Sequence, residues 1–206
     1  MKKIIAILLC AALLLGFAAC SKSSNEVTSQ VVERKSSEAA TTKATDTQGK
    51  KILTIYFSWS GNTDAFAGYI HDAVGGDIVR LEPQQAYPEG YQDVVDLAKK
   101  EKADDARPQF KELSINPEDY DVIFVGYPIW WYTLPMMMYT FFETYDFSGK
   151  TLIPFNTHEG SGDSGTYKTI QEFEPNATVL EGLAIRGNKI ADAQAEVKQW
   201  LETLKY

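Results

Sequence analysis

The sequence predicts an α/β fold, a doubly wound five-stranded parallel sheet with helices on both faces, and two observations carry that expectation. From Lys51 onward short apolar runs alternate with amphipathic stretches of helical period. The apolar runs are also continuous, as strands buried on both faces require, instead of alternating apolar with polar. With 206 residues, 44% of them hydrophobic and 12% aromatic, the chain has apolar area for one proper core.

The elements follow in order. "KILTIYF" (51–57) reads as a buried strand and "DAFAGYIHDAV" (64–74) as the helix after it; "DIVRLEP" (77–83) is the second strand. "YQDVVDLAKKEKADDA" (91–106) is helical, with Asp104 and Asp105 as its solvated end. "YDVIFVGY" (120–127) is the strongest strand, stopped by Gly126 and Pro128, and Pro135 opens the helix "PMMMYTFFETY" (135–145). "TLIPFNT" (151–157) and "TVLEGLAIR" (178–186) complete the sheet, separated by a Gly/Ser-rich loop and a short helix. The chain closes with Ile190, Val197, Trp200, Leu201 and Leu204 on one helical face.

Two segments precede this domain. Residues 1–19, "MKKIIAILLCAALLLGFAA", carry two lysines and then an apolar run from Ile4 to Ala19, the pattern of an export signal. The run is short of the ~18 to 20 residues of a spanning helix. It resembles a bacterial lipoprotein signal, which implies lipidation of Cys20 as the first mature residue; Phe17 stands where such signals usually carry leucine, and an uncleaved anchor is the alternative. Residues 20–50 lack aromatics and are rich in Ser, Thr, Ala and charge, the composition of a flexible tether with a reach of ~30 Å as a random coil. The expected organisation is therefore 1–19 signal peptide, 20–50 lipidated linker and 51–206 folded domain, exported and anchored to the outer face of a bacterial membrane. "MKK" lacks a twin arginine and favours passage of an unfolded chain, so a cofactor would be acquired outside.

Charge and cysteine usage exclude several functions. Loss of residues 1–19 removes Lys2 and Lys3 and no acid, leaving 18 Lys and Arg against 28 Asp and Glu, a formal charge of −10. Nucleic acid and anionic lipid are poor partners for such a surface. Cys10 and Cys20 are the only cysteines, so the domain has no thiol for catalysis, disulfides or metal binding, and with two histidines, His71 and His158, no metal centre is expected. Redox chemistry would need a borrowed cofactor.

In a sheet of this class ligands sit beyond the carboxyl ends of the strands. After the first strand, "SWSGNT" brings Ser58, Ser60, Gly61, Asn62 and Thr63 to the start of a helix. Hydroxyls and first-turn amides there suit a phosphate, although the same residues also make an ordinary turn and N-cap. The absence of lysine argues against a Walker loop. After the third strand, "GYPIWWYTLP" sets Tyr127, Trp130, Trp131 and Tyr132 in a loop stiffened by Pro128 and Pro135; such a cluster is often core, but its place at the carboxyl edge makes it an expected wall for a planar ring. After the fourth, "NTHEGSGDSG" offers backbone donors and acceptors, or is a plain loop. Tyr87 and Tyr91 can close over the same edge or pack the loop, and His71 reads as surface.

Taken together, "YFSWSGNT", "GYPIWWYTLP" and "PFNTHEGSG" resemble the flavodoxin-like FMN proteins, over Lys51 to the C-terminus. The resemblance implies strand order 2-1-3-4-5 and FMN as cofactor. It implies phosphate binding at Ser58, Ser60, Gly61, Asn62 and Thr63, and ring contacts from Pro128, Ile129, Trp130 and Trp131 and from Thr157, His158, Glu159, Gly160, Ser161 and Gly162. No glycine lies between Tyr127 and Leu134, where electron carriers of that family commonly flip a glycine peptide. His158 is the one side chain of the third loop whose type can titrate near neutrality, and it is the candidate catalytic residue, a proton or hydrogen-bond donor to a flavin carbonyl or a substrate.

The expected function is an FMN oxidoreductase passing hydride or electrons to a quinone-like or other small acceptor outside the cytoplasm. The alternative is a one-electron carrier docking to a redox protein. A serine hydrolase, from "GDSG" (162–165) with His158 nearby, is opposed by fold and chain order. A non-redox binding module that has lost its flavin would show decayed loops.

Overall fold

The computed structural model describes residues 49–206. The expected signal peptide, the lipidation site Cys20 and nearly all of the linker lie outside the described residues.

The elements run β1 (Ile52–Tyr56), α1 (Asn62–Val74), β2 (Asp77–Arg80), α2 (Tyr91–Ala103), β3 (Val122–Pro128), α3 (Met136–Thr144), β4 (Thr151–His158), α4 (Thr166–Phe173), β5 (Thr178–Val179), β6 (Leu183–Arg186) and α5 (Gln194–Thr203). The sheet is parallel throughout, in the order β2-β1-β3-β4-β5, with β6 also paired to β4. This is the flavodoxin-like arrangement, with helices on both faces.

Alternation along each strand splits the apolar runs between two cores. Ile52, Tyr56, Val122, Phe124, Ile153 and Phe155 pack with Phe66 and Ile70 of α1 and with Val197, Trp200 and Leu201 of α5. Leu53, Ile55, Ile123, Val125 and Leu152 pack with Met137, Met138 and Phe141 of α3 and Ile170 of α4. The two layers explain why the runs read as continuous.

The fifth strand position differs from the expected single strand over 178–186. It is two short strands, β5 opposite Thr151 and Leu152 and β6 opposite Phe155 to His158, with a break opposite Pro154. Leu152 turns its carbonyl to this side, accepting from Leu180 N–H at 2.9 Å, so Pro154, two residues on, faces the same way. Proline has no N–H to offer the ladder, and the partner strand parts there. The closing helix is also shorter than its apolar face: Ile190 sits in a 3₁₀ turn (Gly187–Asp192) and Leu204 just beyond α5, yet both are buried.

Candidate functional site

Gly61 starts the site. It precedes α1 with φ +90°, a left-handed conformation that L side chains avoid, and it reverses the chain between β1 and the helix. Its N–H donates to the buried Ser58 Oγ at 3.2 Å, while the amides of Asn62, Thr63 and Asp64 have no hydrogen-bond partner among the described residues. Those three N–H groups lie at the positive end of the α1 dipole, the arrangement that suits an anion. The buried hydroxyls of Thr63 and Thr157 pair at 2.8 Å and fix the first turn of α1 over the end of β4. Behind the loop, Arg80 Nη2 donates to Ser58 O at 2.7 Å and its guanidinium faces Glu82 at 3.1 Å and Asp64 at 3.8 Å. Asp64 also accepts from the Tyr56 hydroxyl at 2.6 Å, and burial with this carboxylate beside it holds that phenol well above its ordinary pKa.

The second loop is a hairpin. Trp130 and Thr133 exchange both backbone hydrogen bonds at 3.0 Å across a two-residue turn, and the central residues Trp131 and Tyr132 have φ +50° and +63°. Both central residues in the left-handed region define a type I′ turn, a place that glycine and asparagine usually fill. The turn is tied to α2: Trp131 Nε1–H donates to Val95 O at 2.9 Å, Lys102 Nζ donates to Trp131 O at 2.6 Å, and the Lys99 ammonium lies 5.2 Å from the Trp131 ring centre. Trp130 stands edge-on to Phe57 at 5.4 Å and Tyr87 at 4.9 Å. The Tyr87 hydroxyl donates to the buried carboxylate of Glu101 at 3.1 Å; burial raises the pKa of the Glu101 carboxyl, and burial with Glu101 beside it raises that of the Tyr87 phenol.

His158 ends β4, level with Arg186 at the end of β6. Its Nδ1 accepts the Gly160 N–H at 2.9 Å, so the neutral ring carries its proton on Nε2. Partial burial lowers its pKa; Glu159 pulls it up and Arg186 pushes it down. The loop beyond is held from beneath by Asn156, which donates to Gly162 O at 3.2 Å and accepts from the Tyr167 hydroxyl at 2.6 Å. Ser164 bonds to Ser161 O at 3.4 Å, and among the described residues no hydrogen bond joins it to His158, so the arrangement a hydrolase needs is not made.

The three loops meet in one cleft of about 1020 Å³ at the carboxyl edge of the sheet. Of the residues singled out from sequence, Ser60, Asn62, Pro128, Ile129, Trp130, Trp131, Thr157, His158, Glu159, Gly160 and Ser161 line it. Ser58, Gly61, Thr63 and Gly162 do not; they shape the loops from behind. Tyr127, expected in the aromatic wall, instead belongs to the core: as a residue of β3 it points inward, fully buried with its hydroxyl 2.9 Å from Thr166. Of the two lid candidates, Tyr87 packs behind Trp130, whereas Tyr91 is exposed on the cleft rim, 6.4 Å from the Trp59 ring.

Sequence reasoning missed the α2 wall, Val94, Val95 and Ala98, and the cation Arg186. The α2 stripe has the spacing of any core face and gives no separate signal. Arg186 was findable, because it ends the last strand at the edge where ligands sit.

The flavodoxin family model matches residues 51–204. The chain belongs to the flavodoxin family. Solved structures similar to this flavodoxin include a flavoprotein from Bacteroides uniformis ATCC 8492, with 32% identity, 76% of this chain and 100% of that chain covered, and a TM-score of 0.67. A flavoprotein from Bacteroides eggerthii DSM 20697 has 31% identity, 76% and 99% coverage, and a TM-score of 0.66. The fold is shared with a flavoprotein from Lactobacillus acidophilus NCFM solved in complex with FMN, at 21% identity, 71% and 99% coverage and a TM-score of 0.57. No curated protein matches the chain.

Proposed function

We propose that this flavodoxin binds FMN in the cleft and passes hydride or electrons to a small, flat, quinone-like acceptor, working outside the cytoplasm from a lipid anchor at Cys20. One observation carries the reading: the loops after β1, β3 and β4 converge on a single cleft with open helix amides at one end and an aromatic wall along its side. FMN is the cofactor that the family implies, and the donor set fits it. The amides of Asn62, Thr63 and Asp64 and the side chains of Ser60 and Asn62 suit a terminal phosphate, and Ile129, Trp130 and Trp131 suit a planar ring.

Bound FMN supplies a ring that takes up and releases electrons one or two at a time. The chain does the rest. Ser60 and the α1 amides would hold the phosphate; Trp130, buttressed by Phe57 and Tyr87, would give the ring an apolar neighbour. His158, neutral and protonated on Nε2, offers a hydrogen bond or a proton at the floor of the cleft. Val94, Val95 and Ala98 line the same space, with Val94 and Ala98 almost fully buried, so that side of the cleft is apolar and suits a flat acceptor.

The test is a titration of the purified protein with FMN, followed by reduction and exposure to a soluble quinone. Stoichiometric uptake of yellow flavin and rapid reoxidation by the quinone are expected. A protein that stays colourless and leaves micromolar FMN free refutes the reading. Binding of FMN with reoxidation only by a redox protein selects the carrier instead.

A further inference from the structure

The phosphate end of the cleft holds a charge pair that the loop motif does not explain. The segment from Ser58 to Thr63 has no cation. Arg80 behind it is committed to Ser58 O, Asp64 and Glu82. Arg186 is not committed in this way. It lines the same cleft as Ser60 and Asn62, its side chain is 53% exposed, and its partner is Glu159 at 3.8 Å, longer than a hydrogen bond.

Glu159 reaches from there toward the head of α1. A methyl group at Gly187 would meet Asn62 Nδ2 and Glu159 Oε1 together, each at 2.5 Å, so a residue without a side chain is what lets these groups approach. A carboxylate thus stands between an amide donor of the first helical turn and a guanidinium. That is a position an anion of higher charge would contest.

We propose that Arg186 is a phosphate-selecting cation and Glu159 its internal placeholder, so that the protein takes a flavin bearing a terminal phosphate in preference to the same flavin without one. The proposal rests on the reading of the cleft as a flavin site. A phosphate near dianionic charge offers the guanidinium more charge than one carboxylate and accepts two parallel N–H bonds. Arg186 then exchanges Glu159 for the phosphate, and Glu159, of like charge to the incoming group, swings toward solvent, where most of its side chain already lies. Because Arg186 is half exposed, salt weakens the preference.

The test measures dissociation constants of FMN and riboflavin for the full-length protein by quenching of flavin fluorescence, at low and high ionic strength. At low salt Arg186→Gln is expected to weaken FMN about tenfold and riboflavin less than about twofold, the size of one lost charge-assisted contact. Glu159→Gln is expected to tighten FMN by a larger factor than riboflavin. Arg186→Lys keeps the charge but not the paired N–H geometry, so it is expected to retain part of the preference, and it controls for folding. If Arg186→Gln weakens both flavins alike, the arginine only shapes the cleft; if it weakens neither, the loop alone holds the phosphate. Either result overturns the proposal. A wild-type protein that binds both flavins equally also overturns it, while leaving a flavin site in place; one that binds neither removes the FMN reading beneath it.

Discussion

At the scale of single residues, the site is set by where protons and charges are held. His158 has its tautomer chosen by the Gly160 N–H, and its titration is governed by burial and by two neighbours of opposite sign. Burial disfavours the imidazolium, so the ring stays neutral to a lower pH than the 6.5 of a free imidazole. Its folded-state pKa is therefore depressed, and the stability it contributes is complete above the unfolded value and declines as the pH falls from there toward the folded one. Following the imidazole resonances by NMR through an acid titration gives the value directly. Arg186→Gln should raise that pKa, since a repelling cation is removed, and Glu159→Gln should lower it further, since an attracting anion is removed. Movement in the opposite sense for either variant would show that the two side chains do not face the ring as described.

At the scale of elements, the β3–α3 turn carries the most conformational strain. A non-glycine residue in the left-handed region costs about 1–2 kcal/mol, and Trp131 and Tyr132 both occupy it. Trp131 is compensated by its bond to Val95 and by Lys99 and Lys102; Tyr132, at 72% exposure, has no such tie. Tyr132→Gly should therefore stabilise the protein by about 1 kcal/mol in chemical denaturation, whereas Trp131→Gly should give no gain, because the clasp to α2 goes with the indole. The turn also shows where sequence reading stops. "GYPIWWYTLP" marks a proline-bounded aromatic loop, but nothing in those letters predicts a type I′ turn, because its usual Asn-Gly signature is absent. Periodicity located the strands and helices to within a few residues because burial on two faces leaves so plain a pattern. The split fifth strand escaped it, since its cause, Pro154, lies on the neighbouring strand.

At the scale of the whole molecule, the three loop motifs were legible because each sits at a strand end, as does Arg186, whereas the α2 wall was brought to the cleft by tertiary packing. Charge, by contrast, is read from composition alone. The chain has a formal charge of −8, and reduction of a bound flavin adds negative charge to a ring held within that field. The field penalises the reduced form more than the oxidised one. Bound FMN should thus have a two-electron potential below that of free FMN, and be the stronger reductant. Arg186 opposes this locally, but with FMN bound the phosphate offsets its charge and Glu159 lies toward solvent, so the long-range term decides the sign. Equilibration against indicator dyes measures the potential, and added salt should bring it back toward the free value as the field is screened. A bound potential at or above that of free FMN, insensitive to salt, would mean that contacts at the ring edge outweigh the charge of the protein.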